Sequence, residues 1–396
     1  MAEALKRRIG LGLLTAYGVG VMIGAGIYVM VGAVAGATGI WAPLAFLIAG
    51  LIAAPSALSY AELSTRIPEA AGEAAFIQQG LGLHGLSVVV GLGIVLAGTV
   101  SAAAVLRGGA GYLVSVVDLP LGAAMIGLGV ALVAVAALGV LESLALAAVF
   151  TVIELAGLGL VIWAGAGATP VAGWSAPPPI PLAGLGVAAV LAFFAFIGFE
   201  DIVNMAEEVG RPERTLPRAI LLSLVITTVV YAAVSLAAVR AVPAADLAAT
   251  QRPLALVWER ATGGNADFLS LIAVFAALNG VLAQIVMAAR VLFGLGRRTR
   301  WLGVFTHAHA RLGTPLLATL LVGAAVIAAA LALPVAALAG VTSGLLLTVF
   351  ALVNLSLIAL KRRAPEAPFR VPVWVPWAGL GTALGALALA LAGAVA

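Results

Sequence analysis

The chain of 396 residues contains no cysteine, which excludes a disulfide framework and any thiolate metal site. Charge is almost as scarce. Asp, Glu, Lys and Arg make up 9% of the residues, and hydrophobic residues 64%. An ordinary soluble domain is about a quarter charged. Residues 9–61, 74–106, 119–141, 155–199, 219–239, 268–289, 312–360 and 371–396 carry no Asp, Glu, Lys or Arg at all. A chain this apolar cannot cover itself for water, so a soluble protein of two or three domains is excluded. The polar residues do not alternate with apolar ones over about ten positions, which excludes a lipid-facing β-barrel. What remains is a bundle of membrane-spanning helices.

A helix crosses the bilayer in roughly 20 apolar residues. Blocks 9–61, 155–199 and 312–360 are long enough for two crossings each. Turn chemistry at Gly36–Gly39, Pro68, Pro120, Pro177–Pro179, Pro243, Gly263–Gly264, Pro315, Pro334 and Pro365 divides the chain further. The result is eleven predicted spans, at about 11–36, 41–62, 81–106, 122–140, 145–165, 182–205, 219–240, 266–295, 315–333, 336–360 and 374–396. With the N-terminus inside, 16 of the 20 Lys and Arg fall on inner segments, and Arg107, Arg240, Arg252 and Arg260 fall outside. Cytoplasmic loops are the basic ones, so this count supports both the number of spans and an inside N-terminus. It also accounts for the net charge of +4 without a nucleic-acid partner. The N-terminal Met1–Gly10 is expected to be a cytoplasmic tail, not a signal peptide, and the location a cell (inner) membrane.

Ile23-Gly24-Ala25-Gly26-Ile27 lies mid-way along the first span, and Phe196-Ile197-Gly198-Phe199 along the sixth. A second unit of five spans starts in the opposite orientation. Glycine interruptions at matching places of two such inverted units mark a transporter's binding site, although glycine also serves close helix packing. A helix restarting after Gly24 presents free amides to a carboxylate. Carbonyls from Phe194 to Ile197 would receive an ammonium group. Phe193, Phe194, Phe196 and Phe199 are expected to lid the pocket.

Ionisable groups at membrane depth are functional candidates. Glu154, in mid-span with only Thr151 as a polar neighbour, reads either as a proton or cation site or as a neutral acid in a structural hydrogen bond. Glu200 reads as a coupling carboxylate and the adjacent Asp201 as a partner for a cytoplasmic arginine. Asn279, with Gln284 nearby, either lines the pathway or bonds two helices. Glu207, Glu208, Arg211, Glu213, Arg214 and Arg218 form either an ion-pair network at an inner gate or a solvated loop. His307 and His309 alone make no metal site. No catalytic triad, HExxH, P-loop or dinucleotide fingerprint is present, so neither an enzyme nor an organic cofactor is expected.

Several motifs, in order, resemble the amino acid–polyamine–organocation (APC) transporter family. They are Met22-Ile-Gly-Ala-Gly-Ile-Tyr28, then Tyr60-Ala-Glu-Leu-Ser-Thr-Arg-Ile-Pro68 with Glu69-Ala-Ala-Gly72, and Phe193-Phe-Ala-Phe-Ile-Gly-Phe-Glu200 with Ala206-Glu-Glu208 and Arg211-Pro-Glu-Arg-Thr-Leu-Pro-Arg218. Ala289-Arg290, Arg297-Arg298 and Pro365-Glu-Ala-Pro-Phe-Arg370 complete the set. The resemblance implies a LeuT-like all-α fold with helices 1 and 6 unwound. Residues 1–165 would form the first inverted repeat, 182–360 the second, and 374–396 an added eleventh helix; many members have twelve. It implies secondary active transport of amino acids, including cationic amino acids or polyamines, by alternating access as symporter or antiporter. Substrate would contact Ile23, Gly24, Ala25, Gly26 and Ile27 on one side and Phe194, Phe196, Ile197, Gly198 and Phe199 on the other, with Phe194 as the gate. Glu200 falls where some proton-linked antiporters of the family carry a coupling carboxylate, and Glu154 aligns where some proton-coupled relatives carry Lys, a departure that points to coupling by protonation there or to binding of a cationic substrate or ion. A neutral amino acid exchanger and a non-transporting sensor are the alternatives, and the assembly would be a monomer or homodimer.

Overall fold

The computed structural model describes residues 7–69, 72–114, 117–250, 252–309, 312–333 and 335–395. It is all-helical apart from one isolated parallel bridge, Ile9 to Val209. The helices are α1 (Leu11–Thr38), α2 (Ala42–Arg66), α3 (Gly72–Leu81), α4 (His84–Val114), α5 (Leu121–Leu138), α6 (Val140–Gly167), α7 (Leu182–Phe194), α8 (Pro212–Ala241), α9 (Ala244–Ala249), α10 (Pro253–Thr262), α11 (Asp267–Arg298), α12 (Leu316–Ala332), α13 (Val335–Arg363) and α14 (Trp374–Val395). Among the described residues, eight helices are long and apolar enough to cross a membrane, and Gly184–Phe193, Leu316–Ala332 and Trp374–Leu389 are shorter apolar ones. Each predicted span has a helix over it. Three short helices, α3, α9 and α10, lie between spans where hydropathy gives no signal.

The bundle turns large apolar side chains outward as well as inward. Leu51, Val89, Val152 and Val225 are each more than half exposed. A soluble surface does not carry such a coat, whereas lipid tails accept it. Helix geometry then fixes the opposite faces. Glu154 lies two residues after the 65%-exposed Val152, on the far side of α6, and is 0% exposed.

α1 occupies the centre, packed against α6, α7, α8 and α11. It is interrupted at Gly24, whose φ of 16° and ψ of −149° are far from helical values. α7 stops at Phe194, and its 13 residues reach about 20 Å, short of a roughly 30 Å hydrocarbon core. Residues 195–199 form turns, and a 3-10 segment, Glu200–Glu208, carries the chain onward. Gly198 sits in this break at φ +128°, a conformation that side chains with a Cβ rarely adopt.

The face that holds the N-terminal end of α1 is closed by bonds crossing the bundle. The amides of Arg8 and Ile9 donate to the Glu208 carbonyl at 2.9 and 3.0 Å, and Gly210 N donates to the Ile9 carbonyl at 3.0 Å. Arg290 Nε donates to Glu208 Oε1 at 2.9 Å with both side chains fully buried. Arg297 pairs with Glu207 at 2.7 Å, and Arg298 bonds Glu69 and Gln78. Nearby, Glu62 bonds Arg66, Lys361 and the Val371 amide, tying α2 to α13. The expected ion-pair network after the sixth span is thus recast. Its acids Glu207 and Glu208 take their partners from α11, while Arg211, Arg214, Arg218 and Glu213 make no ion pair among the described residues. Replacing Arg290 by methionine strands a buried carboxylate and is expected to cost about 3–5 kcal/mol. Thermal unfolding of the purified variant should fall accordingly, and Glu208→Gln added to it should recover most of the loss. An unshifted unfolding midpoint in the single variant would show that the pair bears no weight.

Candidate functional site

The two interruptions meet. A methyl group built on Gly198 would lie 2.7 Å from Val21 Cγ1 and 3.3 Å from Met22 N, so this glycine packs directly on the α1 backbone. A methyl group on Gly26 would touch Ala195 at 3.5 Å. Gly24 is buried, yet a methyl group there would meet no heavy atom within 4 Å, so open space adjoins the break. Where the helix restarts after Gly24, the amides around Gly24, Ala25 and Gly26 belong to a first turn, the kind a helix leaves for an acceptor from outside. Across from them, the carbonyls of Phe196 and Ile197 accept no hydrogen bond among the described residues. Donors on one strand of backbone and acceptors on the other therefore flank the same junction.

Tyr231 of α8 bridges the two breaks. Its hydroxyl faces the Met22 carbonyl at 2.5 Å and the Ala195 carbonyl at 3.0 Å. One proton serves two acceptors, so a carbonyl is released whenever the breaks move apart. Sequence reasoning passed over Tyr231, which stands more than 200 positions from Met22. A tyrosine in an apolar span reads as an ordinary interface aromatic, and nothing local signals the pairing.

The predicted aromatic lid is placed as follows. Phe196 stands edge-on to Tyr231 at 5.2 Å. Phe199 packs edge-on to Tyr60 at 5.6 Å and against Phe350 at 5.4 Å, while Phe193 contacts Phe350 at 6.4 Å. The three buried rings fall in two groups, Phe196 with Tyr231 and Phe46, and Phe193 and Phe199 with Phe350 and Tyr60. The side chains of Phe194 and Ala25 lie outside the described residues. Ile23 and Ile27 are fully buried on α1.

The membrane acids all have neutral partners. Glu154 Oε1 accepts from Asn279 Nδ2 at 2.9 Å, and the same nitrogen lies 3.1 Å from Thr151 Oγ1. Thr151 Oγ1 in turn lies 3.1 Å from the Ala16 carbonyl of α1. A methyl group on Gly20 would fall 2.1 Å from Thr151 Oγ1 and 2.3 Å from Asn279 Nδ2, so glycine there admits the cluster against α1. Glu154 Oε2 has no hydrogen-bond partner among the described residues. The hydroxyls of Tyr28 and Tyr231 lie within electrostatic reach of this carboxyl. Glu154, Thr151, Asn279 and the half of α1 below the break thus form one polar junction of three helices. Asn279 was expected either to line a pathway or to bond two helices; it makes the interhelical bond, and to the acid itself.

Glu200 Oε2 accepts from the Gly198 amide at 2.8 Å, which holds the break in its unusual shape. Asp201 does not pair with an arginine. It accepts from Gln284 of α11, because the 3-10 winding turns Asp201 toward α11 and the nearby Arg290 is taken by Glu208. Glu73 at the start of α3, outside the spans, was missed by the sequence reading. It is buried, and burial pushes its carboxyl up to about 8.

Comparison with known proteins places the chain among transporters. The family model described as amino acid permease matches residues 9–396. The chain is similar to a branched-chain amino acid permease of Bacillus subtilis (strain 168), 28% identical over 403 residues, covering 93% of this chain and 84% of the relative. It is similar to a methylthioribose transporter of the same organism, 29% identical and covering 83% of this chain and 76% of the relative. A chloroplastic cationic amino acid transporter of Arabidopsis thaliana is 31% identical, covering 78% of this chain and 58% of the relative.

Proposed function

Because the chain belongs to the amino acid permease family, a family of multi-pass membrane transporters and not of enzymes, we propose that it moves an α-amino acid across a cell membrane by alternating access, driven by protons. In this reading α1–α6 and α7–α13 are two inverted repeats of five spans, residues 1–165 and 182–360, with α14 added, and the N-terminal face is cytoplasmic. The observation that carries the proposal is the junction of two backbone breaks, with amides at Gly24–Gly26 and carbonyls at Phe196 and Ile197. A zwitterion has one group for each. Neither site needs a charged side chain, which suits a substrate whose two charges cancel.

The substrate side chain is proposed to be uncharged. Glu200 and Asp201 are engaged by Gly198 N and Gln284, and Glu154 by Asn279. Among the described residues each of these acids already has a polar partner, and the one buried oxygen left over, Glu154 Oε2, lies in the α6–α11 junction. Glu154 is left for the proton. Its bonded cluster holds the inner half of α1, so its charge state bears on whether that half swings.

The test is uptake of labelled L-leucine and L-arginine into proteoliposomes with acid outside. Leucine accumulation, competed by other neutral amino acids, supports the proposal; arginine accumulation with no leucine uptake overturns its substrate class, and no transport of any α-amino acid overturns it whole. Tyr231→Phe should then lower the uptake rate by at least about tenfold, since the one proton that two buried carbonyls share is lost at about 1–3 kcal/mol. Unchanged kinetics in that variant would remove Tyr231 from the cycle.

A further inference from the structure

On the face opposite the N-terminal one, extracellular in the proposed orientation, a narrow recess opens above the α1 break. Tyr28 of α1, Tyr112 of α4, Ser270 of α11 and Arg252, Leu254 and Ala255 at the start of α10 line it. Among the described residues Tyr28 Oη and Ser270 Oγ have no hydrogen-bond partner, although their residues are only 4% and 2% exposed. Buried hydroxyls left unpaired inside a lined recess are donors awaiting an acceptor. α10 adds more. Pro253 has no N–H, no side chain caps the helix and its first turn carries no acid, so the positive helix end stands at Leu254 and Ala255, which line the recess.

Arg252 is exposed at the mouth. The other three basic residues of this face are engaged: Arg107 with the Ala330 carbonyl, Arg240 with the Ala168 carbonyl and the Trp174 ring, and Arg260 with Asp246. Arg252 makes no ion pair among the described residues, and no acid lines the recess. Its free volume of about 10 Å³ is that of one water-sized group, so in this closed form the recess takes a single oxygen and must widen by side-chain movement to take a whole carboxylate.

We propose that this recess is a first binding site for the substrate carboxylate on the outer face, where Arg252 captures the anion and Ser270, Tyr28 and the α10 amides receive it before it descends to Gly24–Gly26. The proposal rests on the transport reading for its role, and its test separates the two. In the full-length protein, phenylglyoxal labelling of Arg252 is followed by peptide mass spectrometry. L-Leucine should protect Arg252, whereas leucinol, which lacks the carboxylate, should not, and Ser270→Ala should weaken the protection. Equal labelling with and without leucine overturns the site, whatever the protein transports. Protection by chloride as strong as that by leucine overturns the carboxylate assignment. Protection by leucine without any leucine transport upholds the site while the transport reading falls. In the transporting protein, Arg252→Gln should raise the half-saturation constant for external leucine about tenfold, with that for internal leucine moving far less and Arg252→Lys recovering part of the loss. Equal shifts on both sides would reveal a general structural defect and overturn the proposal.

Discussion

Replacing Gly198 by alanine is expected to cut transport by at least about tenfold and to disturb the packing of the two breaks, whereas Gly26→Ala should leave that packing intact and act only through the room it takes from the substrate, although both remove a glycine from the junction. The difference follows from the backbone. Gly198 has φ +128°, and a methyl group on it would stand 2.7 Å from Val21 Cγ1 and 3.3 Å from the Met22 amide nitrogen. The strained conformation alone costs of order 1–3 kcal/mol, and a backbone nitrogen cannot step aside as a flexible side chain can. The break in the sixth span would have to withdraw from α1. That withdrawal would pull the Gly198 amide from Glu200 Oε2 and the Ala195 carbonyl from Tyr231. At Gly26 the nearest atoms to a new methyl group lie at 3.5 Å, an ordinary contact. Initial uptake rates at matched protein levels, with circular dichroism to confirm folding, make the comparison. Wild-type transport by Gly198→Ala would mean that the breaks need not touch for the cycle to run.

The junction was half legible in the sequence. Local signals gave its backbone: Gly24-Ala25-Gly26 inside an uncharged run, and Gly198 amid aromatics, mark the only kind of residue that lets a helix stop in lipid and another chain approach it. The spans were legible for the same reason, since hydropathy is a property of neighbours in sequence. Partners were not legible, because they are set by helices that meet from far apart. Tyr231 lies 209 positions from Met22, and Arg290 lies 82 from Glu208. Arg290 even counted correctly as one of the basic residues of the N-terminal face while being wholly buried. Charge counting sees the sign of a residue and not its depth. Asp201 was assigned to an arginine on the general rule that acids seek bases. The structure gives it an amide instead, because Glu208 already holds the nearby guanidinium.

Glu154→Gln should abolish proton-driven accumulation of substrate while leaving exchange of substrate across the membrane intact. Glu154 is 0% exposed, and its carboxyl receives one amide hydrogen bond, from Asn279, with Oε2 unpartnered. A carboxylate in such a place lacks most of the donors that stabilise its charge, and a buried unpaired charge costs several kcal/mol. Taking a proton relieves that cost. The relief is transmitted because Asn279 also touches Thr151, and Thr151 touches the Ala16 carbonyl on the inner half of α1. The direction of the pH effect follows: acid on the side from which substrate comes loads the carboxyl, and release of the proton on the other side makes the return step differ from the forward one. Glutamine keeps the shape and the bond from Asn279 but is fixed in the neutral form. Wild-type proteoliposomes with an imposed inward proton gradient should therefore concentrate leucine above its external level, and Glu154→Gln vesicles should only equilibrate it. Counterflow of labelled against unlabelled leucine should survive in both. Accumulation by the variant as steep as that of the native protein would sink the assignment and leave Glu154 as a buried acid that merely ties α6 to α11.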